Sequence, residues 1–171
     1  MPILKIARMG HPVLLREAEP VDDPTHPEIR RLIADMAETM QDASGIGLAA
    51  PQVGVPLRIF VIDLSLGHNA GELMTFINPT FVERDGMQTE EEGCLSVPGF
   101  NATVPRPLRA VVKGLDRNGH EVIVEGKELL ARAFQHEMDH LDGLLFLDRV
   151  RGIKRDLIVK KIRKLTRAGK W

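Results

Sequence analysis

The segment His136-Glu137-Met138-Asp139-His140 constrains the fold of this chain more than any other part of the sequence. In an α-helix, residues i and i+4 lie on the same face, so both histidines can present a ring nitrogen to one metal ion. Glu137 is then close enough to accept a proton from a water molecule on that ion. Because a catalytic metal site usually has three protein ligands and one open position, the fold must bring a third ligand onto this helix face.

The third ligand has to come from upstream, because the downstream residues do not fit the common arrangements. The H-x-x-G-x-x-H extension of metzincin proteases would require histidine where Phe146 stands, and no glutamate follows Glu137. Upstream, Cys94 is the only cysteine in the chain. A lone cysteine is most often a small buried hydrophobic residue. Together with the histidine pair, however, it predicts a Cys-His-His ligand set formed by Cys94, His136 and His140.

The length and composition are those of a compact enzyme. A chain of 171 residues with 43% hydrophobic residues can form one domain with a sizeable core. We therefore expect a single domain over residues 1–171, in which residues 154–171 form a basic C-terminal helix. One cysteine suits a reducing compartment, and no apolar run is long enough to span a bilayer. These features predict a cytoplasmic protein with no membrane or DNA partner.

The charge of the chain is distributed unevenly. Residues 1–148 carry 13 basic and 23 acidic side chains, whereas residues 149–171 carry 10 basic and one acidic. From Lys154 to Ala168, apolar residues recur at helical spacing, at Leu157, Ile158, Ile162 and Leu165. The pattern predicts a terminal helix packed on the domain with a solvated basic face. Docking of that face to a polyanion such as RNA is the alternative interpretation.

Helix-like and strand-like segments alternate along the rest of the chain. The hydrophobic periodicity predicts helices over about residues 25–45 and 127–141, and strands over 58–63, 73–77, 109–115 and 121–124. Asp85-Gly86 and Asn118-Gly119 are turn dipeptides that can join hairpin strands. The predicted fold class is therefore α+β, with mostly antiparallel sheets packed around a central metal-binding helix and a C-terminal basic helix.

Three segments together resemble the peptide deformylase family, in the order and approximate spacing of its three motifs. They are Gly45-Ile46-Gly47-Leu48-Ala49-Ala50-Pro51-Gln52, Glu92-Gly93-Cys94-Leu95-Ser96 and Gln135-His136-Glu137-Met138-Asp139-His140. Each segment alone is of modest specificity, but all three in one chain of this size are very specific. The resemblance extends along nearly the whole length and is weakest in the basic tail and in the loop from Ser65 to Glu72.

The resemblance implies a metal-dependent hydrolase that acts in protein biosynthesis. Cys94, His136 and His140 would hold one divalent ion, with Fe(II) as the physiological metal and Zn, Ni or Co possible in preparations. Metal-bound water would attack the formyl group on the N-terminal Met of a newly synthesised polypeptide, and formate would be released. Glu137 would act as general base and then as general acid.

The resemblance also implies roles for residues of the first two motifs. The Gln52 side-chain amide and the Leu95 backbone N–H would stabilise the oxyanion. Ile46 and Gly47 would pair with the backbone of the substrate, the nascent formylated polypeptide. A neighbouring apolar pocket would hold the Met side chain.

The sequence leaves two other functions open. A general H-E-x-x-H metallopeptidase would cleave unformylated peptides without releasing formate. A non-catalytic, metal-stabilised module would use the basic tail to bind RNA or ribosomes. Docking and catalysis are compatible, because an enzyme bound to the ribosome through its C-terminal helix would meet its substrate as it emerges.

Overall fold

The computed structural model of the protein describes residues 3–171; the first two residues of the predicted domain lie outside them. The described chain contains three α-helices and seven β-strands. The helices are α1 (Pro27–Asp42), α2 (Leu129–Leu141) and α3 (Ile153–Arg167). The strands are β1 (Gly47–Ala49), β2 (Ile59–Ile62), β3 (Met74–Asp85), β4 (Gln88–Gly93), β5 (Asn101–Arg106), β6 (Arg109–Leu115) and β7 (Glu121–Lys127). The predicted α+β class is confirmed.

The strands form two sheets, and all pairs between these strands are antiparallel. One sheet has the order β1-β2-β3-β6-β7, and the other consists of β4 and β5. The Asn118-Gly119 turn joins β6 to β7 as predicted, with Leu115 opposite Glu121. The Asp85-Gly86 turn does not form a hairpin, because the strands on its two sides belong to different sheets. Gly86 has a φ of 72°, a left-handed conformation in which the chain leaves β3 for β4.

Helix α2 is the central element of the fold. Eleven of its 13 residues are buried, and its apolar side packs on the five-stranded sheet, where the Phe134 ring meets Phe76 edge-on at 5.4 Å. The helix ends before Gly143, whose φ of 78° suits a helix terminus. Because α2 is buried almost all round, its polar residues must find partners inside the protein. The prediction of a central helix carrying the metal motif is confirmed.

Helix α3 packs on the body of the protein through part of its predicted apolar stripe. Ile158 and Ile162 are each 5% exposed and lie in a core cluster with Phe146, whereas Leu157 is 52% exposed. The helix ends at Arg167, so residues 168–171, which were predicted to belong to it, lie beyond its end. There the Trp171 indole N–H donates to the carbonyl of Met9 at 2.8 Å. Within the described chain, none of the helices combines the length and hydrophobicity needed to cross a membrane.

Candidate metal centre

The structure brings together the three predicted metal ligands. His136 and His140 lie one turn apart on α2, and Cys94 directly follows β4. The two Nε2 atoms are 3.3 Å apart, and Cys94 Sγ is 3.4 Å from His140 Nε2. Ligands about 2.0–2.1 Å (nitrogen) and 2.3 Å (sulfur) from a tetrahedral ion are about 3.3–3.6 Å from each other. The donor spacing and the donor chemistry therefore fit one metal ion.

A buried carboxylate orients one of these histidines. Glu92, 8% exposed, places Oε2 2.5 Å from His136 Nδ1. Burial alone would raise the pKa of Glu92, but hydrogen bonds from Arg106 and His136 hold that pKa well below its ordinary value. An ionised Glu92 accepts a hydrogen bond from Nδ1–H, so in the neutral imidazole the lone pair is on Nε2, which faces the Cys-His-His cluster. This tautomer is the one that a metal ligand requires.

Two arginines donate hydrogen bonds to the remaining acceptor sites of the Glu92 carboxylate. Arg106 donates to both of its oxygens, at 2.8 and 2.7 Å, and Arg132 donates to Oε1 at 2.7 Å. Asp139 lies away from the two histidines, as expected from its position in the helix, and forms ion pairs with Arg106 and Arg149. The histidine face of α2 and the neighbouring side that carries Asp139 thus share one charged network.

Glu137 borders the metal cluster and is 3% exposed. Burial raises the pKa of its carboxyl to about 7, against the opposing effect of His136. Its Oε1 has no hydrogen-bond partner among the described residues, so this oxygen is available to an incoming molecule. A Cβ atom on Gly47 would lie 2.5 Å from Oε2 of Glu137. Glycine at position 47 is therefore required for the carboxylate to occupy this place.

A cleft of about 450 Å³ opens beside the cluster. Ile46, Gly47, Leu95 and Leu129 line it together with Glu137. Gly47 begins β1, an outer strand of the five-stranded sheet that pairs only with β2 within residues 3–171. An extended peptide can add to such an edge through backbone hydrogen bonds. The predicted substrate-binding residues thus lie on the wall of the cleft.

Gln52 is fixed so that its amide NH₂ group faces the cluster. Its Oε1 accepts from the Ala49 N–H at 2.9 Å, which leaves Nε2 3.1 Å from Ser96 Oγ and 3.7 Å from Cys94 Sγ. Gln52 lines the same cleft as Leu95, the residue that follows the cysteine. Both predicted oxyanion donors are therefore located beside the three metal-ligand candidates.

Phe146 occupies the position where a metzincin would carry its third histidine. Its ring lies nearly parallel to that of His136, with centroids 6.3 Å apart and an interplanar angle of 25°. Position 146 therefore places an aromatic ring near that of His136, a candidate ligand, and supplies no metal-binding atom.

A family model described as polypeptide deformylase matches residues 3–156. The chain belongs to the polypeptide deformylase family. It is 48% identical to the peptide deformylase of Acidobacterium capsulatum over 171 residues, which is 100% of both chains. Among solved deformylases, the crystal structure from Legionella pneumophila matches with a TM-score of 0.91 and 42% identity, covering 98% of each chain.

The family, the fold and the enzyme class predicted from the three deformylase motifs are confirmed. The metallopeptidase and the non-catalytic module are not favoured. Deformylases depend on a metal, and the Cys-His-His cluster agrees with that general property. The roles of the individual site residues and the identity of the metal stay predictions.

The sequence interpretation missed the buried arginines of this deformylase. Arg106 lies on the inward face of β5, in step with Ala102 and Val104. Arg132 stands between two buried alanines of α2. The sequence did contain a signal for them. In each element the period of the apolar residues assigns the arginine to the core, and a buried guanidinium needs a buried anionic partner.

Proposed function

We propose that this chain hydrolyses the N-terminal formyl group of formyl-Met on newly synthesised polypeptides and releases formate. The observation that carries the proposal is that the metal-ligand candidates, a buried carboxylate and an amide donor lie together at one cleft. Cys94, His136 and His140 form the metal cluster, with Glu137 and Gln52 directly beside it. Membership of the deformylase family and the names of the relatives support the same reaction.

The acid–base chemistry falls to Glu137. A divalent ion held by the Cys-His-His cluster would supply a Lewis acid and make a water molecule acidic near neutral pH. Glu137 accepts the proton of the attacking water through its unpartnered Oε1. It then delivers that proton to the departing α-amine of the Met residue. The burial of Glu137 excludes bulk water from this transfer.

The oxyanion and the peptide are held by the first two motifs. Gln52 Nε2 and the Leu95 N–H donate hydrogen bonds to the oxygen on which negative charge develops. Ile46 and Gly47 pair with the substrate backbone along the free side of β1. The apolar wall around Leu129 accommodates the Met side chain.

The Glu137→Gln variant tests the mechanism. Formate release from a formyl-Met peptide should fall by about 10²–10⁴-fold, the usual contribution of a general base, while the metal content stays unchanged. Glu90→Gln, an exposed carboxylate on β4, is the matched control and should keep its turnover. Full activity of Glu137→Gln would refute its role as the base. Cleavage of unformylated peptides without formate would favour a peptidase.

Fe(II) is the ion that we propose for the enzyme in the cell. One thiolate and two imidazoles form a donor set that accepts Fe(II) as well as Zn(II), and the other divalent ions can replace it in preparations. Protein purified without oxygen should contain iron in proportion to its formate-releasing activity. Full activity in anaerobically purified protein that contains zinc and no iron would contradict the proposal.

The ribosome is the partner that we propose for α3, and the cytoplasm, where nascent formylated chains emerge, is the proposed compartment. Of the six exposed basic residues of α3, four lie on the side away from Ile158 and Ile162 and carry the argument, since phosphate groups attract such a surface: Lys160, Arg163, Lys164 and Arg167. Ile158 and Ile162 face the body of the protein, so deleting the helix would uncover the core.

Substitution of the exposed charges is therefore a better test than truncation. Replacing the four basic residues by Gln should weaken co-sedimentation with ribosomes and reduce its dependence on salt. Hydrolysis of a short formyl-Met peptide is the internal control and should stay unchanged. Ribosome binding equal to that of the unmodified chain would refute docking through α3.

A further inference from the structure

We propose that Phe146 and Arg149, at the two ends of the 3₁₀ turn that follows α2, are positioning residues for the metal ligand His136. The inference rests on the proposed metal site and adds to it a part of the chain outside the three deformylase motifs. The turn spans Phe146–Arg149 and connects α2 to α3. It reaches His136 by two separate routes, one through packing and one through charge.

The packing route is direct. Phe146 is 1% exposed, and its ring is nearly parallel to that of His136, with the centroids 6.3 Å apart and an interplanar angle of 25°. Phe146 belongs to the same core cluster as Leu147 and Ile158, so close packing limits the movement of its ring. A buried histidine ring with a closely packed aromatic neighbour has less freedom to rotate about its Cβ–Cγ bond. Phe146 therefore limits the direction in which Nε2 of His136 can point.

The charged route begins at Arg149. Its Nε and Nη2 atoms donate to the two oxygens of Asp139 at 2.6 and 2.7 Å, a bidentate pair. Asp139 Oδ2 also accepts from Arg106 Nη1 at 3.0 Å. Arg149 and Arg106 thus hold the same carboxylate from two sides. Without Arg149, Asp139 could turn toward Arg106 and change the position of that guanidinium.

The route ends at the imidazole. Arg106 uses its other two nitrogens to bind both oxygens of Glu92, and Glu92 accepts from His136 Nδ1. Every link from Arg149 to His136 is therefore a charge-assisted hydrogen bond between side chains. Such bonds inside a protein are strong and directional, so a displaced Arg106 moves Glu92 and through it the imidazole. Side chains that hydrogen-bond to the ligands of a metal ion, without touching the ion, tune the affinity of the site.

The exposure of Arg149 separates this role from a purely structural one. Its side chain is 42% exposed, whereas those of Arg106 and Asp139 are 2% and 8% exposed. Water can replace much of what Arg149 contributes to folding, because its own side chain is partly exposed and the buried Asp139 keeps Arg106 as a partner. Removing Arg149 should therefore disturb metal binding more than folding.

The test measures how fast the protein releases Co(II) to an excess of chelator. Arg149→Gln should release the ion about tenfold faster than the unmodified protein, the low end of the effect of outer partners on metal sites. Arg149→Lys, which keeps the charge but can donate from only one nitrogen, should lie between the two. Phe146→Leu tests the packing route and should also accelerate release.

Arg155→Gln is the matched control. Arg155 lies at the start of α3, is similarly exposed, and donates to the Leu147 carbonyl at 3.1 Å without touching Asp139. Its rate of Co(II) release should equal that of the unmodified protein. Urea unfolding of the metal-free forms should give nearly the same midpoint for Arg149→Gln and Arg155→Gln, and the Co(II) absorption bands should shift only in the former.

The possible results separate the two proposals. An unmodified protein that releases formate and binds Co(II), combined with an unchanged release rate in Arg149→Gln, would overturn the positioning role alone. Equal acceleration in Arg149→Gln and Arg155→Gln would also overturn it, because the effect would then be a general loosening of the connection to α3. An unmodified protein that binds no Co(II) would remove the proposed metal site itself.

Discussion

Helices α2 and α3 are similar in length and lie close together in the sequence, yet they carry their polar residues in opposite environments. In α2, 11 of 13 residues are buried, and six of these are polar or charged: Arg132, Gln135, His136, Glu137, Asp139 and His140. In α3, the buried residues are Ile158 and Ile162 alone, out of 15. Burial fixes the direction of each polar group and strengthens its interactions, which suits catalysis. Exposure leaves the charges of α3 mobile and screened, which suits a reversible encounter with a polyanion.

Arg106→Leu should have the largest effect on stability, because the charges around α2 are buried. The substitution leaves Glu92 and Asp139 without their shared partner, and breaking a buried pair costs about 3–5 kcal/mol. Urea unfolding of the metal-free protein measures this loss. Arg109→Leu is the control, since Arg109 forms its ion pairs with exposed carboxylates and should change the midpoint little. Equal losses in both variants would break the contrast between buried and exposed charge.

Gly47→Ala should cost activity rather than stability. The added methyl group would lie 2.5 Å from Glu137 Oε2, so the buried carboxylate must move from its present position. Misplacement of a catalytic group by about 1 Å can cost about 100-fold, which is equivalent to about 2.7 kcal/mol in the barrier. Formate release measures the effect.

Gly71→Ala is the control for this substitution, because its new Cβ atom would meet only Asn69 Oδ1, at 3.4 Å. It should leave turnover unchanged. If Gly47→Ala kept full turnover with its metal bound, the position of the Glu137 carboxylate would be less constrained than the geometry indicates.

Local sequence signals predicted the parts of this fold that depend on neighbours in the chain. The 3.6-residue period and Gly143 fixed α2 to within two residues at its start, and Asn118-Gly119 predicted the hairpin of β6 and β7. The histidine pair, the unsuitable residues downstream of it and the single cysteine of the chain also led to Cys94 as the residue beside the histidines. The period and the turn dipeptide are each contained in a short segment, so they can be recognised without knowledge of the tertiary structure.

The failures all involve contacts between distant segments. The Asp85-Gly86 turn has hairpin chemistry, but β4 pairs with β5, which only the tertiary structure decides. The network around Glu92 joins β4, β5, α2 and the turn after α2. The periods of β5 and α2 mark Arg106 and Arg132 as buried, but only the tertiary structure decides which carboxylates they meet. The apolar stripe of α3 indicated burial of Leu157, but the body of the protein covers only the side of Ile158 and Ile162.

Ile162→Ala sharpens the comparison at α3, because it removes one of the two buried anchors of that helix. Leaving a cavity beside Phe146 should destabilise the protein by about 2 kcal/mol, the low end for such truncations, since the anchor lies near the surface. Leu157→Ala, at a side chain that is 52% exposed, should stay within about 0.5 kcal/mol. Thermal or urea unfolding distinguishes them. Equal effects would mean that α3 packs through a different face.

Trp171→Phe should have the smallest effect. The indole N–H donates to the Met9 carbonyl at 2.8 Å, and the ring lies 6.0 Å from Phe100. Phenylalanine keeps the ring contact and removes the donor, and loss of one such hydrogen bond costs about 1 kcal/mol. Urea unfolding measures the loss, and Lys170→Ala, at an exposed neighbour, is the control. Because water can reach the freed carbonyl, α3 should stay docked through Ile158 and Ile162. A loss as large as that of Ile162→Ala would instead make Trp171 the main anchor, and the C-terminal region would then depend on a polar contact as α2 does.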